Sequence, residues 1–401
     1  MPHILMVLDH AYPPDLRVEN EVYTLNKAGF EVTLLSIGPD SRPIVEQSGL
    51  ARIVRSRIPA QMRNKMRGLA GSLPFLDLYL ARTIRKLHKS YHFDAIHAHD
   101  LYLFGACIRI GKKLGLPVVG DMHENWVEAL KHYKWSTTIP GKWVINLKKW
   151  EALEMTWSTE VHHLIVVIEE MAERLRERGI SESAMTVVPN TIRLDDFAAW
   201  PIEPIAGFED SVPRLIYTGG MDRHRGLEDV IQALPHVITQ FPDVEVLMVG
   251  DGAVRSELES LAIRENIQQH IVFTGWQDQK KVKSYLALAD VGIIPHKKTV
   301  HTDHTIPHKL FHYMYMGLPS VVSNCRPLER IVEEVGCGAV YPSGSPGKLA
   351  DQLCTLLGDA ALRNRLSKAG KEAVATSYNW DATATGLVEV YYRLLGAKPL
   401  E

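Results

Sequence analysis

The sequence predicts an α/β protein built from two Rossmann-like halves, and three observations carry that expectation. Its 401 residues exceed what a single hydrophobic core ordinarily accommodates. Short apolar runs alternate with helical periodicity along nearly the whole chain, and those runs repeatedly end on glycine or polar residues, where a parallel sheet presents its ligands. At 46% hydrophobic, 23% charged and 8% aromatic, the chain is neither disordered, collagen-like nor a disulfide scaffold.

Ile4 to Leu8 is an apolar run closed by a Pro-rich turn; Val18 to Lys27 has helical spacing and stops at Ala28-Gly29, where glycine supplies a C-cap; Phe30 to Ile37 reads as a buried strand. Together they form a βαβ unit. Ala95 to His99, the helix Leu103 to Leu114, Val118 to Asp121, Leu164 to Ile168, the helix Glu169 to Arg178 and Thr186 to Pro189 continue the series. After Asn190, Pro201, Pro204 and Pro213 among polar and small residues mark a linker. The second series runs Leu215 to Thr218, Leu227 to Thr239, Val244 to Val249, Val254 to Arg264, Ile271 to Thr274, Val282 to Leu288, Val291 to Pro295, Lys309 to Met316 and Ser320 to Ser323. The expected division is 1–198, 199–378 and a terminal helix, 379–401, crossing back to the first domain.

Net charge is −2, which argues against nucleic acid as a partner. Charge is unevenly spread, however: residues 51–90 carry ten Lys/Arg against Asp77 alone, a candidate surface for anions. Cys107, Cys325, Cys337 and Cys354 show no metal-like spacing. No stretch approaches the ~20 uninterrupted apolar residues of a spanning helix, and Met1-Pro2-His3 offers no basic leader, so a cytoplasmic location is expected.

The informative motifs lie in the second half. Tyr217 to Gly226 (YTGGMDRHRG) is a strand, a glycine turn and a basic loop opening a helix, which suits phosphate: glycine admits close backbone approach and guanidinium offers forked donors. The plainer alternative is a solvated turn. Gly250-Asp251-Gly252 and Gly275-Trp276-Gln277 end two further strands on glycine. In His301 to Asn324, Pro307 fits the first turn of a helix ending at Gly317, so Thr305 and Ile306 fall where main-chain donors bind anions. Five of eighteen histidines (His296, His301, His304, His308, His312) fall within that neighbourhood, but HxxxH lacks the glutamate of a zincin motif, and no metal is expected.

The second half resembles the donor-binding domain of family-four retaining glycosyltransferases, which have the GT-B architecture: two Rossmann-like domains facing each other across a nucleotide-sugar cleft. In the first half, Pro14 to Glu21, Ala98-His99-Asp100, Asp121-Met122-His123-Glu124 and Val187 to Asn190 look like that family in the right order; Tyr378-Asn379-Trp380-Asp381 resembles its C-terminal segment. The resemblance implies that Arg225 is the basic residue on the donor diphosphate and His123 the histidine near the transferred sugar. Thr305 and Ile306 would be main-chain donors to sugar and phosphate, with Trp276 and Gln277 against the base. Gly219, Arg223 and Asp251 would join the donor side, and Asp15, Arg17 and Asp100 the acceptor side. The co-substrate would be a UDP, GDP or ADP sugar, no cofactor would be required, and the acceptor would be a glycan or lipid-linked molecule.

Two positions depart from the family pattern. Its pair of glutamates, one near the sugar and one on the ribose, is replaced by His304 and His312; Gly220 stands where many members carry the first of two basic phosphate ligands, which Arg223 would have to replace. A catalytically silent relative that binds nucleotide or glycan and supports a partner enzyme is therefore the alternative, and a metal enzyme on the histidine cluster a third reading. Trp126, Trp135, Trp143, Trp150 and Trp157, interleaved with Lys131, Lys134, Lys142, Lys148 and Lys149, fit a peripheral membrane face; the alternative is that Trp143, Trp150 and Trp157, seven apart, form a helix's packing stripe.

Overall fold

A computed structural model of the protein describes residues 1–132, 146–208 and 212–397. The chain divides into two compact units, Met1–Pro189 joined by the segment from Thr383 onward, and Asn190–Ala382. The first division falls at 189/190 rather than 198/199. Its cause is local: the expected linker contains a six-residue helix, Leu194–Ala199, whose Phe197 packs on His312 and whose end is held by Lys283, both in the second unit.

Among the described residues the N-terminal unit carries an eight-stranded sheet: β1 (His3–Leu8), β2 (Glu31–Ile37), β3 (Val45–Ser48), β4 (Ala51–Ser56), β5 (Ala95–His99), β6 (Val118–Met122), β7 (His163–Val166) and β8 (Met185–Val187). The order is β3-β4-β2-β1-β5-β6-β7-β8, parallel throughout except for β3 against β4. Every side chain of β1 is buried, as expected of a parallel strand covered by helices on both faces. The crossover helix Leu16–Lys27 starts where Asp15 accepts a hydrogen bond from the Val18 amide at 3.1 Å. The helix Thr385–Leu395 packs in this unit: the Tyr391 hydroxyl lies 2.7 Å from His97 Nδ1, and the Tyr392 hydroxyl donates to the Ala28 carbonyl.

The C-terminal unit carries β9 (Arg214–Thr218), β10 (Glu245–Val249), β11 (Ile271–Gly275), β12 (Val291–Ile294), β13 (Ser320–Ser323) and β14 (Gly338–Tyr341), all parallel, in the order β11-β10-β9-β12-β13-β14. Chain order reverses between β9 and β12. In an open α/β sheet that reversal opens a crevice at the strands' carboxyl ends, which places Gly219 and His296 beside it.

Three tryptophans of the cluster lie inside the fold. Trp126, Trp150 and Trp157 are buried and meet edge to face at 6.0 and 5.9 Å, and Trp157 presses on the bare backbone of Gly105. Trp150 and Trp157, seven apart on the helix Leu147–Glu160, pack inward as the stripe predicts, and Trp126 joins them from another helix; Trp143, the third member of the stripe, lies with Trp135, Lys134 and Lys142 outside the described residues. Among the described residues no helix is long and apolar enough to cross a membrane.

Candidate active site

In the C-terminal unit the site grows from backbone packed on backbone. β9 ends at Thr218 and turns through Gly219-Gly220; Gly250, at φ 143°, closes β10 so tightly against that turn that a Cβ would run into the Gly219 carbonyl. Gly226, at φ 64°, meets the Pro295 carbonyl after β12 in the same way. Only glycine fits either position. The consequence is a basic turn, Arg223–Arg225, pinned beside the strand ends.

The charges gathered there share one sign. Arg225 Nη1 donates to His296 Nε2 at 2.9 Å, so His296 is neutral at that nitrogen. Burial, then Arg225, push His296 well below its usual range, and the same causes carry His224 down to about 4. Lys309 is 8% exposed, with its ammonium 3.6 Å over the Tyr217 ring; burial, then Arg225, hold it well below the ordinary lysine range. Among the described residues Lys309 Nζ and Arg225 Nε have no hydrogen-bond partner, and no carboxylate pairs with either side chain. Asp222, whose Oδ2 lies beside Gly220, pairs with neither.

Several expected donor-side residues meet here, and others do not. Gly219 and Arg225 do. Trp276, 68% exposed, reaches within 3.8 Å of where a Gly220 side chain would start. Thr305 is extended, and neither it nor Ile306 precedes a helical Pro307: the helix begins only at Lys309, with His308 as its cap, so Pro307 lies outside it. Thr305 Oγ1 donates to the His301 carbonyl, and His304, buried, donates from Nδ1 to the Val300 carbonyl. Arg223 is 76% exposed and paired with Glu257. Gln277 closes a local turn on the Thr274 carbonyl, and Asp251 is taken up by the Gly252 amide and Arg255. His312 stacks on Phe197, ring centroids 4.8 Å apart, and burial pushes it down to about 3. It is a neutral packing ring where the resemblance implied a ribose ligand.

In the N-terminal unit the polar residues cluster at the ends of β1, β5 and β6. Arg17, expected on the acceptor side, is instead buried at 4% exposure. Its Nε and Nη2 donate to both Asp121 oxygens at 2.9 and 2.7 Å, and Nη1 donates to the Val188 carbonyl; Glu21 lies 3.0 Å away. His123 keeps 18% of its side chain exposed and donates to Asp121 at 2.9 Å. Although burial lowers its pKa, Asp121 and Asp100 outweigh that and raise it to about 10. His123 is therefore a cation at neutral pH, suited to stabilising negative charge rather than accepting a proton. Asp15 pairs with His10 at 3.0 Å, and Asp100 accepts from Tyr102. Glu124, which drew no role from the sequence, is pushed up to about 7 by burial and then by Asp100.

Among the described residues the histidines of 296–312 do not gather a metal-like ligand set. The set that does form is Glu21, His97, His99 and Asp121, with ligand atoms within 4.8 Å of one another. Arg17 occupies both of its carboxylates, so a divalent ion there would face a guanidinium.

Residues 17–196 match the family model described as Glycosyltransferase Family 4, and residues 212–359 the model described as Glycosyl transferases group 1. Glycogen synthase of Mycobacterium tuberculosis (strain ATCC 25618 / H37Rv) is 23% identical over 410 residues, spanning 96% of this chain and 94% of the relative. Phosphatidyl-myo-inositol mannosyltransferase of Mycobacterium leprae is 26% identical over 305 residues, 75% of this chain and 73% of that one. Among solved structures, sucrose-phosphate synthase from Thermosynechococcus elongatus superposes with a TM-score of 0.76 at 20% identity over 99% of this chain and all of that one. The Anabaena protein HepE in complex with UDP and glucose gives 0.69 at 13% identity over 97% and 99%. The fold, the ordered motifs and the two family models, which together match most of the chain, agree: the chain belongs to the family-four glycosyltransferases of GT-B fold.

Proposed function

We propose that this enzyme moves a sugar, with retention of configuration and without a metal, from a UDP, GDP or ADP sugar to a glycan or lipid-linked acceptor in cell-surface polysaccharide or glycolipid synthesis. One observation carries the reading: Arg225 and Lys309 converge on a glycine turn with no carboxylate to answer them, an arrangement that fits a diphosphate. In the transfer, the bond from the anomeric carbon to the diphosphate oxygen breaks and a bond to the acceptor oxygen forms on the same face. The diphosphate leaves with the bonding pair and takes up the acceptor's proton. Arg225 and the main chain at Thr305 and Ile306 stabilise the growing charge, Trp276 flanks the base, and His123, charged, serves the transferred sugar. His304 stands at the sugar-side position, and Asp15 and Asp100 serve the acceptor.

The test is calorimetric titration of UDP, GDP and ADP into the protein in chelator without acceptor. Micromolar affinity for one of them names the donor class; binding only on addition of a divalent ion sinks the metal-free reading. The catalytically silent alternative draws on His312, whose packing against Phe197 leaves no carboxylate for the ribose. Tight binding without transfer to any acceptor would favour it.

A peripheral membrane contact on the cytoplasmic face is part of the proposal. Its support is the pair of helices Ala60–Leu69 and Phe75–Tyr91, on and between which Met62, Leu73, Phe75 and Leu78 are exposed near Lys65 and Arg82. Flotation with anionic liposomes tests it, and protein left at the bottom of the gradient would remove it.

A further inference from the structure

The missing basic residue at 220 leaves the diphosphate with fewer ligands than the family pattern provides, and the structure supplies another from a different element. We infer that Lys309 is the second cation on the donor's diphosphate, reaching the glycine turn from the first residue of the helix Lys309–Met316. The inference rests on the donor reading above.

Three observations carry it. A Cβ placed on Gly219 would lie 3.2 Å from Lys309 Nζ, so the ammonium abuts the turn because that residue has no side chain. Tyr217 holds the ammonium over its ring while its own hydroxyl donates to the Gly220 carbonyl at 2.5 Å, which ties the platform to the same turn. Lys309 is more than nine-tenths buried with no hydrogen-bond partner for its Nζ. An unpaired buried cation costs stability, and a bound anion would offset that cost.

The charged and titratable groups that act on this ammonium or share its surroundings are Arg225, His224, His296, His301 and Tyr217, with Asp222 at the turn. Two cations stand against a ligand of two or more negative charges, and the start of a helix adds partial charge of the same sign. A purely structural role fits less well, because a methionine would fill the same space over Tyr217 without desolvating a charge.

Lys309→Met separates the roles. The experiment is titration of UDP, GDP and ADP into wild type, Lys309→Met and the double variant Lys309→Met/Gly220→Arg, each with its thermal unfolding curve. The expected result is about ten- to a hundred-fold weaker binding for Lys309→Met, with a melting temperature no lower than wild type. Gly220 has room for the test, since its nearest obstacles to a Cβ are Asp222 Oδ2 at 3.3 Å and Trp276 at 3.8 Å. The arginine should therefore recover a large part of the affinity. Undiminished binding by Lys309→Met overturns the inference alone, whereas a wild type that binds none of the three diphosphates overturns the donor reading. If Lys309→Met both melts lower and binds weakly, Gly220→Arg decides: recovered affinity at the lower melting temperature supports the inference, and no recovery overturns it.

Discussion

In the N-terminal unit Arg17 is closed by Asp121, Glu21 and the Val188 carbonyl, His123 rests on Asp121, and Arg67 on Asp9. In the C-terminal unit, among the described residues, Arg225 meets only a neutral histidine, and Lys309 only the face of a tyrosine. Both regions bury charge at the carboxyl ends of parallel strands. Completed pairs hold a geometry in place, whereas cations left without a counter-charge mark where a ligand's charge belongs.

Breaking a completed pair should have the largest effect. Arg17→Met leaves Asp121 buried beside Glu21 without its guanidinium, and should lower unfolding free energy by about 3–5 kcal/mol in denaturant titration. A loss under 1 kcal/mol would mean that water or His123 compensates and that the contrast between the units is overstated. Arg225→Ala should do the reverse: about 2 kcal/mol or more from diphosphate affinity and little from stability. Unchanged affinity would show that the phosphate lies elsewhere.

Protonation sharpens the same contrast. His123 is raised from 6.5 to about 10, so its stabilising contribution is complete below pH 6.5 and is lost as pH rises through about 10. His312 is lowered from 6.5 to about 3; its contribution is complete above pH 6.5 and is lost as pH falls through about 3. NMR titration of the two imidazoles should find His123 charged and His312 neutral at pH 7, and the opposite assignment would reverse their roles. The smallest effect belongs to Trp276→Ala, which should cost about 1 kcal/mol of nucleotide affinity through lost stacking and leave the melting temperature unchanged. Equal affinity would detach Trp276 from the base.

Most of the strands were legible because parallel strands covered on both faces read as uninterrupted apolar runs, and their ends were marked by glycines, of which Gly250 leaves no room for a Cβ against the Gly219 carbonyl. Two boundaries were not. Pro307 suits a first helical turn, but an extended segment holds it just outside the helix, and Leu194–Ala199 is too short to display a period. Site residues failed for a different reason, since burial depends on residues distant in sequence. Arg17, which the resemblance put on the acceptor side, and Lys309, which drew no role from PHKLF, owe their burial to Asp121 and Val188, and to Tyr217 and Gly219, none of them near in sequence. The niche that turns His312 into a packing ring is likewise made by Phe197, from the segment read as a linker.

The return of the chain to its starting unit has a consequence for folding. His97 and Tyr391, which closes over it, stand almost three hundred residues apart, so the N-terminal unit is incomplete until its last helix is in place, whereas the C-terminal unit lies in one continuous stretch of chain. The second unit is, in effect, an insertion into a discontinuous host, and a released chain ending at Ala382 should present a folded C-terminal unit beside a protease-sensitive N-terminal one.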